Sequence, residues 1–409
     1  MKKVFSIALG ILTAIGGFVD IGDLVTNGLV GARFGLSLVW VVVVGIVGIC
    51  VFAEMSGRVA AVSGRATFDL VRERLGPRVG LLNLVASMAV TLLTFTAEIG
   101  GVALALQLAT SVNPYLWIPI VGAAVWIVLW RVKFSVLENA FGLVGLALIV
   151  FAVALWQLGP DWADLWRQVS RPFVPHDESH TTYFYYAVAL FGAAMTPYEV
   201  FFFSSGGVEE RWTDKDLGTM RANVFIGFPL GGVLSVAIAG VAAVVYLPEG
   251  VDVDSLGQIG MPVGQALGVI GIALVLLGFF AATFGAACET GLSVGYSIAQ
   301  YLGWQWGKYV TPLKAARFHS VVLLSSVVAV GVLLTTVDPI MLTEYSVVFS
   351  AVALPLTYFP ILVVANDRTY MGRNVNGRLA NALGTAYLVV VMVAALAAIP
   401  LMIVTRAGQ

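Results

Sequence analysis

Two short stretches inside long apolar runs carry groups able to hold a cation: Phe18-Val19-Asp20-Ile21-Gly22-Asp23 and Ala194-Met195-Thr196-Pro197-Tyr198-Glu199. A carboxylate at mid-membrane costs about 2.5 to 3.5 kcal/mol on insertion scales, so acids placed there point to an ion. Both stretches also carry the chemistry that breaks a helix. Pro197 removes a backbone donor and disfavours helical geometry at Thr196. Gly16, Gly17 and Gly22 lower helix preference, and Asp20 and Asp23 can cap the half-helix that follows. Interrupted helices in corresponding places of two halves build cation sites from unwound backbone, which makes the chain a transporter candidate. Plainer roles stand beside this one: Asp20 as a cap alone, Asp23 as the wall of a solvated outer vestibule, Thr196 bonded to its own helix. Glu199, two residues past Pro197, fits a supporting ligand, an ion pathway or a cap equally well.

These residues sit in a chain of 409 residues that is 59% hydrophobic and 11% charged, with a mean hydropathy of +0.95. That is far more apolar surface than a soluble core needs, and it predicts an all-α polytopic membrane protein. Eleven apolar segments are expected, near residues 4–32, 37–62, 79–109, 113–130, 134–157, 182–205, 222–246, 264–300, 314–336, 341–366 and 379–404. Lys2 and Lys3 precede the first, which runs on through Asp20 without a persuasive cleavage site and reads as a transmembrane helix, not a signal peptide. With these spans, 18 of the 22 basic residues fall on one side and only Arg33, Arg167, Arg171 and Arg406 on the other. The positive-inside rule then predicts a cytoplasmic N-terminus and an external C-terminus. The acidic, Trp-rich piece 158–181 divides the chain into five-segment halves, 1–157 and 182–366. Five crossings is an odd number, so the halves form an inverted repeat in which segments 1 and 6 are partners. Segment 11, 379–404, lies outside the repeat and is expected at the periphery of a single transmembrane domain spanning 1–409.

The order and spacing of these motifs resemble the NRAMP (natural resistance-associated macrophage protein) family of divalent metal transporters. In that family the first helix breaks at Asp-Pro-Gly-Asn and the sixth at Met-Pro-His. The matching stretches here are Asp20-Ile21-Gly22-Asp23 and Thr196-Pro197-Tyr198. Support comes from Arg-Val-Ala-Ala-Val-Ser-Gly-Arg at 58–65, Ala97-Glu98-Ile99-Gly100 and Ala353-Leu354-Pro355. The resemblance implies the leucine-transporter fold of the APC superfamily: a 5+5 inverted repeat with broken helices 1 and 6 and an eleventh helix. It also implies a metal site of Asp20, Asp23, Thr196 and the carbonyls of Gly17 and Ala193, with Ala353 where some relatives carry a Gln. Helices 1 and 6 would move against segments 3, 4, 8 and 9.

The departures from the family pattern carry functional content. Where the family places a thioether this chain has the Thr196 hydroxyl, and two carboxylates with a hydroxyl suit hard ions such as Mg²⁺, Mn²⁺ or Ca²⁺. This is similar to the NRAMP-related magnesium transporters. The family's helix-6 His is Tyr198, and the acid that often precedes Glu98 by three positions is Phe95, so weak or absent proton coupling is expected. Glu98, Glu199, Tyr198 and Ala353 are the candidate supporting or pathway residues; Glu138 and Glu289 have no matched role.

The expected function is divalent cation uptake by alternating access, Mg²⁺ and Mn²⁺ leading, in a bacterial plasma membrane. The metal is cargo and no cofactor is expected; lipid is the expected surrounding, without nucleic acid or an obligate protein partner. A transporter of a small organic cation or amino acid, and a transport-inactive sensor, are the rivals. No P-loop, HExxH, nucleophile elbow or dinucleotide motif supports an enzyme. Cys50 and Cys288 lie in apolar segments without metal-ligand spacing, so no disulfide framework is expected. The aromatic run Tyr183-Phe184-Tyr185-Tyr186 reads as an interfacial belt.

Overall fold

The computed structural model describes residues 18–175 and 178–408. The Gly17 expectation falls outside them, as does the side chain of Glu138. In hydrocarbon a backbone must satisfy its own polar groups, so each apolar run closes its hydrogen bonds as a helix. In chain order these are α1 (Ile21–Phe34), α2 (Val39–Ser63), α3 (Pro77–Thr110), α4 (Pro114–Arg131) and α5 (Phe134–Gly145), the last continuing through a 3₁₀ turn into Val150–Gln157. Then come α6 (His180–Ala194), α7 (Pro197–Glu209), α8 (Phe228–Val245), α9 (Leu256–Leu302), α10 (Ala316–Leu333), α11 (Pro339–Ala365) and α12 (Arg378–Val404). Among the described residues ten helical stretches are long and apolar enough to span a membrane, α6 and α7 together making one of them. With α1, the described part of the first segment, they match the expected segments in order.

Both expected breaks are present. Helical geometry at Phe18 stops, Val19 and Asp20 are not helical, and α1 starts at Ile21. Asp20 has φ −108° and ψ −174°, an extended N-cap whose carboxylate accepts from Asp23 N. In the sixth segment Met195 has φ −126° and ψ 57°, and Thr196 is extended with φ −66° and ψ 136° ahead of Pro197 at the first position of α7. The restriction that a proline places on its predecessor is thus realised at Thr196.

Local departures from the expected spans have local causes. The piece between the halves holds a short amphipathic helix, Trp162–Ser170, capped by Asp161. Its Gln168 Oε1 accepts from Leu36 N at 2.9 Å, tying the connection to the end of α1. The helix of segment 8 starts earlier than expected, at Leu256, and changes direction at Gly268, where φ 63° and ψ −148° suit only glycine. Gly192 lets α6 approach α11 closely: a Cβ there would lie 2.0 Å from the carbonyl oxygen of Val347. Helix α12, the eleventh expected segment, is peripheral, with 11% of its apolar window buried. Cys50 and Cys288 are both free and buried.

Candidate cation site

The two breaks meet in the interior of the helix bundle. Asp20 is 3% exposed and Asp23 2%. Asp20 Oδ1 accepts from Asp23 N at 2.9 Å, so the cap role is real. A carboxylate oxygen has two acceptor directions, and capping occupies one of them. Asp20 Oδ2 accepts from the Tyr198 hydroxyl at 3.0 Å, joining the break in the first segment to the first turn of α7. The N-terminal end of α1 is further satisfied by Glu98, whose Oε1 accepts from Ile21 N at 3.1 Å. Glu98 Oε2 is buried without a hydrogen-bond partner.

Asp23 is fixed by other groups. Its Oδ1 accepts from Asn27 Nδ2 at 3.2 Å and from Ser235 Oγ of α8 at 3.3 Å. Asn27 Nδ2 also donates to the Asp23 carbonyl at 2.9 Å. Asp23 Oδ2 is buried with no hydrogen-bond partner. A carboxylate in that state is costly in a low-dielectric interior unless something charged or donating completes it. Asp23 is therefore not a solvated vestibule wall in this conformation.

From the other side, Pro197 contributes by what it lacks. The helical partner for the Ala193 carbonyl is the N–H of residue 197, and proline has none. Thr196 is 7% exposed, and its side chain makes no capping hydrogen bond to α7. The thioether of neighbouring Met195 packs against Gly48 of α2. Glu199 is buried in the first turn of α7, at the end of the helix where the backbone dipole favours negative charge. Ala353 is buried in α11 and its carbonyl accepts from Thr357 Oγ1 at 3.3 Å. Glu289 is buried on α9.

Of the residues expected to act together, hydrogen bonds link Asp20, Asp23 and Tyr198, and Glu98 reaches the same break through the backbone. Thr196 and Ala193 lie just ahead of Tyr198 in the chain. Among the described residues no group of three or more His, Cys, Asp and Glu side chains is arranged to hold a metal ion. An ion here would rest on two carboxylates supplemented by carbonyl, hydroxyl and water oxygens. Sequence reasoning missed Asn27 and Ser235. Asn27 follows Asp23 by four residues, on the same helix face, which is a usable signal; nothing in the sequence points to Ser235.

Comparison with known proteins gives this geometry its context. The chain is 26% identical over 388 residues to "Divalent metal cation transporter MntH" of Deinococcus radiodurans, covering 92% of this chain and 85% of that protein. It is 24% identical over 404 residues to the protein of the same name from Aeromonas hydrophila, covering 92% and 93%. Relatives so named are transporters, not enzymes, and the metal is their cargo, not a cofactor. A crystal structure of a mutant manganese transporter from Eremococcus coleocola aligns over 98% of this chain and 87% of its own, with 18% identity and a TM-score of 0.71. Mhp1, a nucleobase-cation-symport-1 family transporter, aligns over 96% and 91%, with 17% identity and a TM-score of 0.62. The fold is accordingly the leucine-transporter fold, an integral membrane architecture with broken first and sixth segments. The family described as "Natural resistance-associated macrophage protein-like" matches residues 10–400, and the chain, broken helices included, belongs to that NRAMP family.

Proposed function

We propose that this protein carries divalent cations, Mg²⁺ or Mn²⁺ foremost, across a bacterial plasma membrane by alternating access, with weak or no proton coupling. The observation that carries this reading is the buried Asp20–Asp23 pair, with Asp23 Oδ2 left unpartnered. Thr196 and the carbonyls of Ala193 and Gly17 would complete an oxygen shell, with Glu199 tuning the field. Oxygen donors without a thioether favour hard ions over soft ones. Manganese transport named for structural relatives and divalent metal transport named for sequence relatives support the substrate class. The inverted repeat would run through 1–157 and 182–366 with 379–404 appended, and the basic-residue asymmetry supports a cytoplasmic N-terminus and an external C-terminus. A doubly charged ion gains about 4.6 kcal/mol per 100 mV of inside-negative potential, enough to drive uptake without protons.

The test is uptake of Mg²⁺, Mn²⁺ and Ca²⁺ into proteoliposomes under an inside-negative potential, with an internal pH dye and Asp20→Ala as control. Flux of Mg²⁺ or Mn²⁺ that disappears in the variant, with no accompanying pH change, is the expected result. Absence of flux for every ion would overturn the reading in favour of an organic-cation carrier or a sensor.

A further inference from the structure

The hydrogen bond from Tyr198 to Asp20 constrains how that carboxylate can meet an ion. Asp20 Oδ1 is engaged by the backbone of its own helix turn at 2.9 Å, and Oδ2 by the phenol at 3.0 Å. Each oxygen keeps an acceptor direction, but an ion that straddles both oxygens needs the pair of inward-facing directions at once. The phenol already holds one of the Oδ2 directions. It is not a group that swings away easily: Tyr198 is 2% exposed and occupies the second position of α7, immediately after Pro197. A hydrogen bond to a charged acceptor is also among the stronger ones.

Divalent ions differ in what they ask of a carboxylate. Ca²⁺ takes six to eight oxygens and accepts bidentate carboxylates readily, whereas Mg²⁺ demands a compact octahedron, takes single oxygens and keeps several waters. We infer that Tyr198 is a specificity-determining residue. By occupying Asp20 Oδ2 it holds Asp20 to one-oxygen contact and so selects small, partly hydrated ions over Ca²⁺. This rests on the divalent-cation reading above and adds the reason for its ion preference. The phenol acts through Asp20 and does not itself need to touch the ion.

Tyr198→Phe removes the hydroxyl and keeps the ring. In proteoliposomes, Mn²⁺ uptake would be measured in competition with Ca²⁺ and with Mg²⁺ for the wild type, Tyr198→Phe and Asp20→Ala, with binding of the same ions to detergent-solubilised protein in parallel. The expected result is a rise of about tenfold in the potency of Ca²⁺ relative to Mg²⁺ in Tyr198→Phe. A purely structural role would lower all ions together and leave the ratio unchanged, and that outcome, with Asp20→Ala still abolishing uptake, overturns the inference while leaving the divalent-cation reading intact. Wild-type protein that neither binds nor moves any of the three ions overturns both. Should Tyr198→Phe fail to fold, Tyr198→Leu, which also lacks a donor and adds no ligand atom, carries the same expected ratio and the same refutation.

Discussion

At the scale of single residues, the site depends on side chains that orient the two carboxylates as much as on the carboxylates. Asp23 has one oxygen held by Asn27 and Ser235 and the other unpartnered, so the held oxygen decides where the open one points. Removing a donor of this kind costs about 1 kcal/mol, or roughly fivefold in affinity. Asn27→Ala is therefore expected to weaken Mn²⁺ binding about fivefold in calorimetry, with little change for a variant on the exposed face of α12 such as Val393→Ala. Equal affinities for Asn27→Ala and wild type would remove Asn27 from the orienting role. Met195 illustrates the converse. A sulfur stands one residue from the proposed ligand Thr196, yet it packs against Gly48, so the presence of a soft atom in the motif does not make the site soft.

At the scale of elements, the two breaks supply oxygen ligands in different ways, one by placing carboxylates at a helix start and the other by freeing a carbonyl at a helix end. The start of α1 is closed by Asp20 and Glu98 acting as acceptors for Asp23 N and Ile21 N, while the end of α6 is left open because Pro197 offers no N–H. Replacing Pro197 by Ala restores that donor and lets the α6 helix draw the Ala193 carbonyl back into its own hydrogen bonding. The expected outcome is a fall of about tenfold in Mn²⁺ affinity with the melting temperature unchanged or raised, since helix is gained as a ligand is lost. Unchanged affinity would show that the Ala193 carbonyl is not used.

At the scale of the whole molecule, charged networks tie segments distant in sequence together at both ends of the bundle. Arg33, near the end of α1, donates to Glu178 at 2.5 Å, to the Tyr186 hydroxyl of α6 at 3.0 Å and to the Gly408 carbonyl beyond α12 at 2.7 Å. On the opposite face Glu54 of α2 accepts from Arg58 and from Arg221 at 2.9 Å, and Arg58 also donates to Asn376. On the face proposed to be external, the Arg33 cluster joins the end of α1 to the start of α6. Arg33→Ala is expected to speed hydrogen exchange in α1 and the start of α6 several-fold, leaving α3 and α9 unchanged, because only α1 and α6 lose a tether. Uniform exchange across all four helices would argue against Arg33 as a tether between α1 and α6.

The sequence by itself determined the features whose causes are local. Apolar runs close into helices because hydrocarbon offers no other partner for the backbone, and Asp20 and Pro197 interrupt them through a cap and a missing donor. Spans, both breaks and the candidate acids were therefore legible, as was the likeness carried by the motifs. The turn at Gly268 and the helix Trp162–Ser170 were not read, although a glycine and a capping Asp161 were there to find. What only the tertiary structure decided is which groups meet across long separations. Tyr198 reaches Asp20 from 178 residues away, Ser235 reaches Asp23 from 212, and Glu98 caps Ile21 from 77. Such contacts depend on the depth at which tilted helices cross and on the rotation of each about its axis. Packing of the complete bundle sets both, and neither has a periodicity that one segment could reveal.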